Sequence, residues 1–188
     1  MTNADSGRRS ESLKIVTLCT GNVARSVMLG YMLATLADAS GVEWHIRTAG
    51  THVVEGSAMS VRTRDALVTI EELGAQRYGD HRSHQLNDDD VQWADVILAS
   101  EADHVRFVRK NFSTHADKAV QLAQFVRSAP LGASLAQQLA TLSHVEPSPA
   151  FDVADPAGAD QATYDRCARQ LWELSQIFAT LVTELQIL

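Results

Sequence analysis

An apolar run near the start of the sequence stops abruptly at a glycine and gives way to a helical pattern, which limits the folds that this sequence can adopt. Residues 13–19 form a short, β-rich and nearly continuous apolar segment, typical of a strand buried on both faces of a parallel sheet. The run ends at Gly21-Asn22. From Arg25 to Asp38, apolar residues recur at three- and four-residue spacings, with a stop at Ser40-Gly41. This segment therefore predicts a strand, a tight loop and a helix.

The alternation of strand and helix patterns continues along the chain. Further strands are predicted at 42–48, 95–99 and 119–122, and further helices at 58–73, 101–110 and 161–185. The helix at 58–73 is expected to end at Gly74. Strands that alternate with helices predict an α/β fold with a doubly wound parallel sheet.

Composition and charge limit the classes of partner. The 188 residues are 45% hydrophobic and 21% charged, which favours a single globular domain over residues 13–188 with a disordered tail at 1–12. With a net charge of −7 and no basic run longer than Arg8-Arg9, the chain lacks the signature of a nucleic-acid binder. The polar start lacks a signal peptide's apolar segment, and no apolar stretch is long enough to span a membrane. We therefore expect a cytoplasmic protein with no membrane partner.

The loop after the first strand carries the chemistry. Ligands of open α/β sheets bind at the carboxyl ends of the strands, where Cys19 stands. Loop and helix N–H groups can surround a tetrahedral oxyanion and stabilise a nucleophilic thiolate at Cys19. Arg25 can hold two phosphoryl oxygens with its planar fork, and Ser26 can hydrogen-bond the sulfur when it leaves. The predicted phosphate-binding residues are Thr20, Gly21, Asn22, Val23, Ala24, Arg25 and Ser26.

Hydrolysis of a phosphate ester also needs a proton donor for the leaving oxygen. Asp155-Pro156 is the candidate, because proline holds the preceding residue extended and Gly158 continues the loop. An Asp-Pro pair alone more often marks only a turn. Together with the cysteine loop, it predicts that Asp155 is the general acid.

Five separated motifs resemble the low-molecular-weight protein tyrosine phosphatase family, from about residue 13 to the C-terminus apart from 127–150. They are Cys19-Thr20-Gly21-Asn22 with Arg25-Ser26, Thr48-Ala49-Gly50-Thr51, His81-Arg82-Ser83, Ala94-Asp95-Val96-Ile97-Leu98, and Asp155-Pro156.

This resemblance implies a four-stranded parallel sheet flanked by helices and metal-free hydrolysis through a phosphocysteine, with no cofactor. It implies that Asp155 acts first as acid and then as base for the attacking water. It further implies that Asn22, Ser26 and His81 form a hydrogen-bond network that holds the loop, and that Asp95 lies near the loop as a supporting residue.

The chain departs from the family pattern in ways that bear on substrate. Ala24 stands where the family usually has a second cysteine, so a protective disulfide with Cys19 is not expected. The aromatic residues of phosphotyrosine-directed members are replaced at 52–54 and 157–159. Val23 stands where those members have an aliphatic residue and phosphoarginine enzymes a threonine. The expected substrate is a phosphorylated protein, first of all phosphotyrosine, with free phosphate or other oxyanions also binding the loop.

Two other functions stay open at this point. One is arsenate reduction on the same scaffold; because Cys167 is the only other cysteine and is expected to be buried, it would need an external small thiol. The other is a non-catalytic phosphate-binding module, which would not need Asp155. The longer segment at 127–150 is either an inert surface insertion or a lid that replaces the missing aromatic residues.

Overall fold

Four parallel strands form the centre of the molecule. The computed structural model describes residues 12–130 and 132–183. Its sheet has the order β2-β1-β3-β4, with β1 at Leu13–Cys19, β2 at Trp44–Gly50, β3 at Val96–Ala99 and β4 at Ala119–Gln121. All neighbouring strands pair in parallel. The predicted fold class is confirmed, while the predicted tail lies, except for its last residue, outside the described residues.

Helices cover both faces of this sheet. Within the described ranges the α-helices are α1 (Arg25–Ser40), α2 (Val61–Val68), α3 (Asp88–Trp93), α4 (Ala102–Asn111), α5 (Leu122–Ser128), α6 (Leu135–Ser143) and α7 (Gln161–Thr183). Short 3-10 helices lie at Glu71–Leu73, Tyr78–Asp80, Ser113–Lys118 and Pro149–Phe151. None of the helices in this part of the chain is both long and apolar enough to cross a membrane.

Alternate residues of β1 face opposite sides of the sheet and pack in two different hydrophobic clusters. Leu13 and Ile15 pack in the cluster that holds the buried faces of α1 and α7, whereas Val16 and Leu18 pack with α3 and α4. The next strands along the chain, β2 and β3, lie on opposite sides of β1. The carboxyl end of β1 is therefore the switch point of the sheet, where folds of this kind bind ligands.

The predicted helix at 58–73 is wrong in its extent. α2 begins after Ser60, whose side chain accepts from the backbone N–H of Thr63, and ends at Val68. Ile70 then adopts an extended conformation before the 3-10 helix at Glu71–Leu73. Val68, Thr69 and Ile70 are all β-branched, which disfavours helix.

Three other boundaries differ from the prediction. Strand β2 begins two residues later than expected, because the N–H of Val42 donates to Ala37 and completes the C-terminal turn of α1 around Gly41. The strands predicted at 95–99 and 119–122 are observed as Val96–Ala99 and Ala119–Gln121. The end predicted for the last helix, at 185, lies outside the described residues.

The segment at 127–150 contains a helix of its own. α6 places Leu139 and Leu142 in the same hydrophobic core as α1 and α7. Arg106 on α4 bonds the carboxylate of Glu146 and the carbonyl of Pro147. The segment is thus packed against the rest of the molecule.

Candidate active site

The loop between β1 and α1 has the form of an anion receptor. Asn22 has a left-handed backbone with φ of +52° and turns the chain sharply. Ala24, at the N-cap of α1, makes no side-chain cap bond to the helix N–H groups. Within the described residues, none of the backbone N–H groups of residues 20–25 donates to a protein acceptor. Consecutive free N–H groups at a helix start favour a bound oxyanion.

The conformation of this loop is held from inside by the side chain of Asn22. Its Nδ2 donates to Ser26 Oγ at 2.9 Å, and its Oδ1 accepts from the backbone N–H of His84 at 2.9 Å. Burial lowers the pKa of His81, and the neutral ring donates from Nε2 to the Asn22 carbonyl at 2.8 Å. Ser26 Oγ lies 3.0 Å from Cys19 Sγ. The structure therefore brings the three residues of the expected network together beside the thiol, with His84 as an additional member.

Gly50, at the end of β2, supports the loop from the neighbouring strand. A Cβ atom at this position would stand 2.5 Å from the carbonyl oxygen of Thr20 and 3.0 Å from the backbone nitrogen of Asn22. Only a residue without a side chain allows this approach. The Thr48-Ala49-Gly50-Thr51 motif thus contributes through close backbone packing.

The guanidinium of Arg25 is buried and held by two carboxylates. Its Nη1 pairs with Glu101 and also donates to the carbonyl of Val153 at 2.9 Å. Its Nη2 lies 2.8 Å from Asp155 Oδ2. Nε is buried without a hydrogen-bond partner in the described part of the chain. The edge formed by Nε and Nη2 is thus the one that can offer two parallel donors to a phosphoryl group.

The loop that carries Asp155 is fixed by a polar contact at β4. The buried Gln121 donates to Asp152 Oδ1 at 2.8 Å and exchanges two hydrogen bonds with the backbone of Ser148. The same carboxylate oxygen of Asp152 accepts from the N–H of Ala102 at 2.7 Å. Asp155 itself keeps 40% of its side chain exposed. It can therefore meet a substrate, while the backbone before it is anchored.

One predicted supporting residue lies elsewhere. Asp95 was expected near the loop, but its carboxylate accepts from the N–H of Lys14, at the start of β1. The prediction is wrong because β1 and β3 are parallel and Ile15 pairs with Val96. A residue just before β3 therefore lies at the amino edge of the sheet, opposite the loop.

The second cysteine lies on the buried face of α7. Burial raises the pKa of Cys167 to about 12, which keeps its sulfur a thiol at neutral pH. Both cysteines are free. Cys167 therefore lacks the thiolate character of a resolving nucleophile.

Sequence reasoning missed two residues that contact the loop from the other side, Glu101 and His104. Thr20 Oγ1 lies 2.9 Å from His104 Nε2, while Glu101 reaches Arg25. Both follow directly after β3, which lies beside β1 in the sheet. Because carboxyl ends of parallel strands share one edge, the end of this strand pattern was the signal that could have found them.

Sequence and structure comparisons agree with this geometry. A family model described as low molecular weight phosphotyrosine protein phosphatase matches residues 14–186. A protein-arginine-phosphatase of Geobacillus stearothermophilus is 30% identical over 173 residues, covering 92% of this chain and 96% of the relative.

Two solved structures show the same similarity. An arginine phosphatase from Geobacillus stearothermophilus superposes with a TM-score of 0.73 at 26% identity, covering 93% of this chain and 96% of the other. A low molecular weight protein tyrosine phosphatase from T. tengcongensis gives a TM-score of 0.72 at 26% identity, covering 89% and 98% of the two chains.

Proposed function

The chain belongs to the low molecular weight phosphotyrosine protein phosphatase family of phosphoric monoester hydrolases, and on that premise we propose that it dephosphorylates phosphoproteins through a phosphocysteine. One observation carries this proposal: a cysteine beside consecutive free backbone N–H groups, with Arg25 and Asp155 at the same loop. A nucleophile, an oxyanion receptor and a proton donor are the three parts that such a reaction needs.

In the first step the thiolate of Cys19 attacks phosphorus. The bond between sulfur and phosphorus forms as the ester bond breaks, and Asp155 gives its proton to the leaving oxygen. The loop N–H groups and Arg25 stabilise the negative charge of the equatorial oxygens.

In the second step water attacks the phosphocysteine. Asp155, now a carboxylate, takes a proton from the water, the sulfur–phosphorus bond breaks, and inorganic phosphate leaves. Ser26, whose Oγ lies 3.0 Å from Sγ, stabilises the departing thiolate.

We assign protein phosphotyrosine as the first substrate class. Val23 provides an aliphatic side chain in the loop, as in the phosphotyrosine-directed members that the chain resembles. The backbone N–H of His52 donates to the carbonyl of Thr20 at 2.9 Å. The His52 ring packs edge-on against Phe107, with ring centroids 5.7 Å apart. This pair places aromatic surface beside the loop although residues 157–159 hold none.

Phosphoarginine is the second substrate class. The relative at 30% identity is named a protein-arginine-phosphatase. Glu101 and Asp155 place two carboxylates at the site. These acidic groups are suited to a positively charged guanidinium next to the phosphoryl group.

Turnover of p-nitrophenyl phosphate at about pH 6 in EDTA tests the chemistry. We expect hydrolysis by the native chain and a loss of about a thousandfold or more in Cys19→Ser, because the loop alone cannot replace the nucleophile. Cys167→Ser is the matched control and should retain turnover. Equal rates in the native and Cys19→Ser chains would overturn the phosphocysteine route.

Substrate class is tested with one peptide sequence that carries either phosphotyrosine or phosphoarginine. A higher kcat/KM for the tyrosine form supports the first assignment. A higher value for the arginine form moves the protein to the second class and leaves the phosphocysteine chemistry in place.

A further inference from the structure

His104 lies in the first turn of α4 and is buried beside the phosphate loop, with only 3% of its surface exposed. Both nitrogens of its ring are used. Nδ1 lies 3.1 Å from the backbone nitrogen of Glu101, and Nε2 lies 2.9 Å from Thr20 Oγ1. Thr20 directly follows the nucleophile, so this contact reaches the loop at its beginning.

The direction of these hydrogen bonds follows from their partners. A backbone N–H can only donate, so Nδ1 of His104 accepts from Glu101 and the ring proton is on Nε2. Nε2 therefore donates to Thr20 Oγ1, and the hydroxyl proton of Thr20 points away from the imidazole. Burial, together with the guanidinium of Arg25, lowers the pKa of His104 to about 4, so the ring is neutral at neutral pH.

The same helical turn reaches the other end of the loop. Glu101 pairs with Nη1 of Arg25, and its second carboxylate oxygen lies 3.4 Å from Nε2 of His104. By accepting the N–H of Glu101, the imidazole fixes the backbone from which that carboxylate extends. The His104 side chain thereby connects the end of β3 to both ends of the loop. It contacts Thr20 directly and reaches Arg25 through Glu101.

We propose that His104 is a positioning residue of the phosphate loop, which it holds through Thr20 in the conformation that binds oxyanions. This inference rests on the proposed function only in the identity of the loop as the phosphate site. The N–H groups of the loop lie on consecutive residues, so a hydrogen bond that fixes Thr20 also helps to place the donors that follow it. Phosphate binding and turnover depend on this placement, because catalytic geometry is sensitive to small shifts.

A buried histidine can also be simply a well-bonded part of a core, and two substitutions separate these roles. His104→Asn places an oxygen near the position of Nδ1 and keeps the bond to Glu101, but it cannot reach Thr20. His104→Gln extends far enough to donate to Thr20. If His104 were only part of the core, both variants would show similar phosphate binding at the loop and similar kcat.

Thr20 allows the same contact to be tested without altering the core. Thr20→Val removes the hydroxyl at almost constant shape, whereas Thr20→Ser retains it. The double variant Thr20→Val with His104→Asn should be no worse than the poorer single variant, because both changes remove one interaction. These variants keep the test decisive even if one His104 variant does not fold.

The main readout is alkylation of Cys19 by iodoacetamide, with inorganic phosphate as protecting ligand. In His104→Asn and Thr20→Val we expect the phosphate concentration for half-protection to rise about tenfold and kcat on p-nitrophenyl phosphate to fall by about the same factor. His104→Gln and Thr20→Ser should lie closer to the wild type. His45→Asn, a change at an exposed histidine near the start of β2, is the matched control.

Half-protection within about twofold of the wild type in folded His104→Asn and Thr20→Val overturns the inference. Equal losses in His104→Asn and His104→Gln overturn it as well, since they indicate a structural role only. Alkylation and protection need no turnover. A wild type that is inactive on phosphate esters while both His104→Asn and Thr20→Val still weaken protection therefore contradicts the proposed function and supports the role of His104.

Discussion

The carboxylate of Asp155 lies 2.8 Å from Nη2 of Arg25, so the proposed proton donor and the proposed phosphate ligand are paired with each other. The other terminal nitrogen of Arg25 is held by Glu101 and the carbonyl of Val153. Because Nη2 belongs to the edge that can hold a phosphoryl group, a bound phosphoryl group competes with Asp155 for this nitrogen. A carboxyl group released in this way is then available to the leaving oxygen.

Asp155→Asn should separate binding from catalysis. The neutral amide removes the negative charge that competes with phosphate for Nη2 of Arg25, so inorganic phosphate should inhibit the variant more strongly than the wild type. Without the proton donor, kcat on phosphotyrosine should fall by about a hundredfold or more. The loss should be smaller for a substrate with a more acidic leaving group. Inhibition constants and kcat values for aryl phosphates of graded leaving-group acidity measure both effects.

Asp88→Asn is the control for net charge, since it removes one exposed carboxylate elsewhere. Weaker inhibition by phosphate in Asp155→Asn would show that the carboxylate does not compete for Arg25.

Asn22 contributes both a backbone conformation and a side chain, and two substitutions distinguish them. Asn22→Gly accepts the φ of +52° but loses the bonds to Ser26 and His84. Asn22→Ala loses the same two bonds and also strains the backbone, because alanine disfavours a positive φ. Its free energy of unfolding should therefore be lower than that of the glycine variant by about 1 kcal/mol. Both should lower kcat by about tenfold, because the loop is no longer held from inside.

Gly41→Ala is the matched control for strain, because Gly41 has a φ of +65° at the end of α1. It should lose stability with unchanged kcat. A fully active Asn22→Gly would contradict the role of the side chain.

The cysteine loop of the candidate site could largely be predicted from sequence, because Cys19, the loop and Arg25 lie within eight consecutive residues at a predicted strand end. The partners of Arg25 could not be predicted in this way. Glu101 reaches it only because β3 lies beside β1, and an order of strands leaves no local pattern in sequence. The prediction for Asp95 was wrong for a different reason. Because β3 runs parallel to β1, a residue just before β3 lies at the edge of the sheet opposite the loop.

The acidic run at α3 indicates where the helix begins, but it does not indicate which residues pair with its carboxylates. Asp88, Asp89 and Asp90 begin α3 as a run of carboxylates favourable to the helix dipole, and such a run is typical of a solvated helix start. Asp90 is instead buried and pairs with Arg47 and His84. Both partners come from other segments, so spacing within the run could not reveal them.

His84 should make stability depend on pH. Burial lowers the pKa of His84, but hydrogen bonds to Glu55 and Asp90 outweigh it, and the net pKa is raised above 6.5. A raised folded-state pKa stabilises the fold fully below the unfolded value and loses that contribution as pH rises through the folded value. The difference in melting temperature between the wild type and His84→Gln should therefore be larger at about pH 5.5 than at about pH 8.5.

His45→Gln is the comparison, since this histidine and its partner Glu43 are both largely exposed. A difference for His84→Gln that is constant or grows with pH would contradict the assigned pairing.

The packing of α6 predicts what the segment at 127–150 contributes. Leu142 is 4% exposed and belongs to the main core, so Leu142→Ala should lower the free energy of unfolding by about 2–5 kcal/mol in urea titrations. Ala140→Ser, an exposed change on the same helix, should alter it by less than about 0.5 kcal/mol. A loss of that small size in Leu142→Ala would indicate an inert appendage. A change in kcat/KM confined to peptide substrates would indicate a lid.

The bond from Arg25 to the carbonyl of Val153 joins residues 128 positions apart. A ribosome therefore releases the cysteine loop long before Asp155, and a nascent chain that holds only β1 and α1 carries the proposed nucleophile without the proposed proton donor. Pairing of such distant segments is slow compared with helix formation. The proposed activity is therefore expected only after residues 153 and 155 have docked on Arg25, and fragments that end before them should lack it.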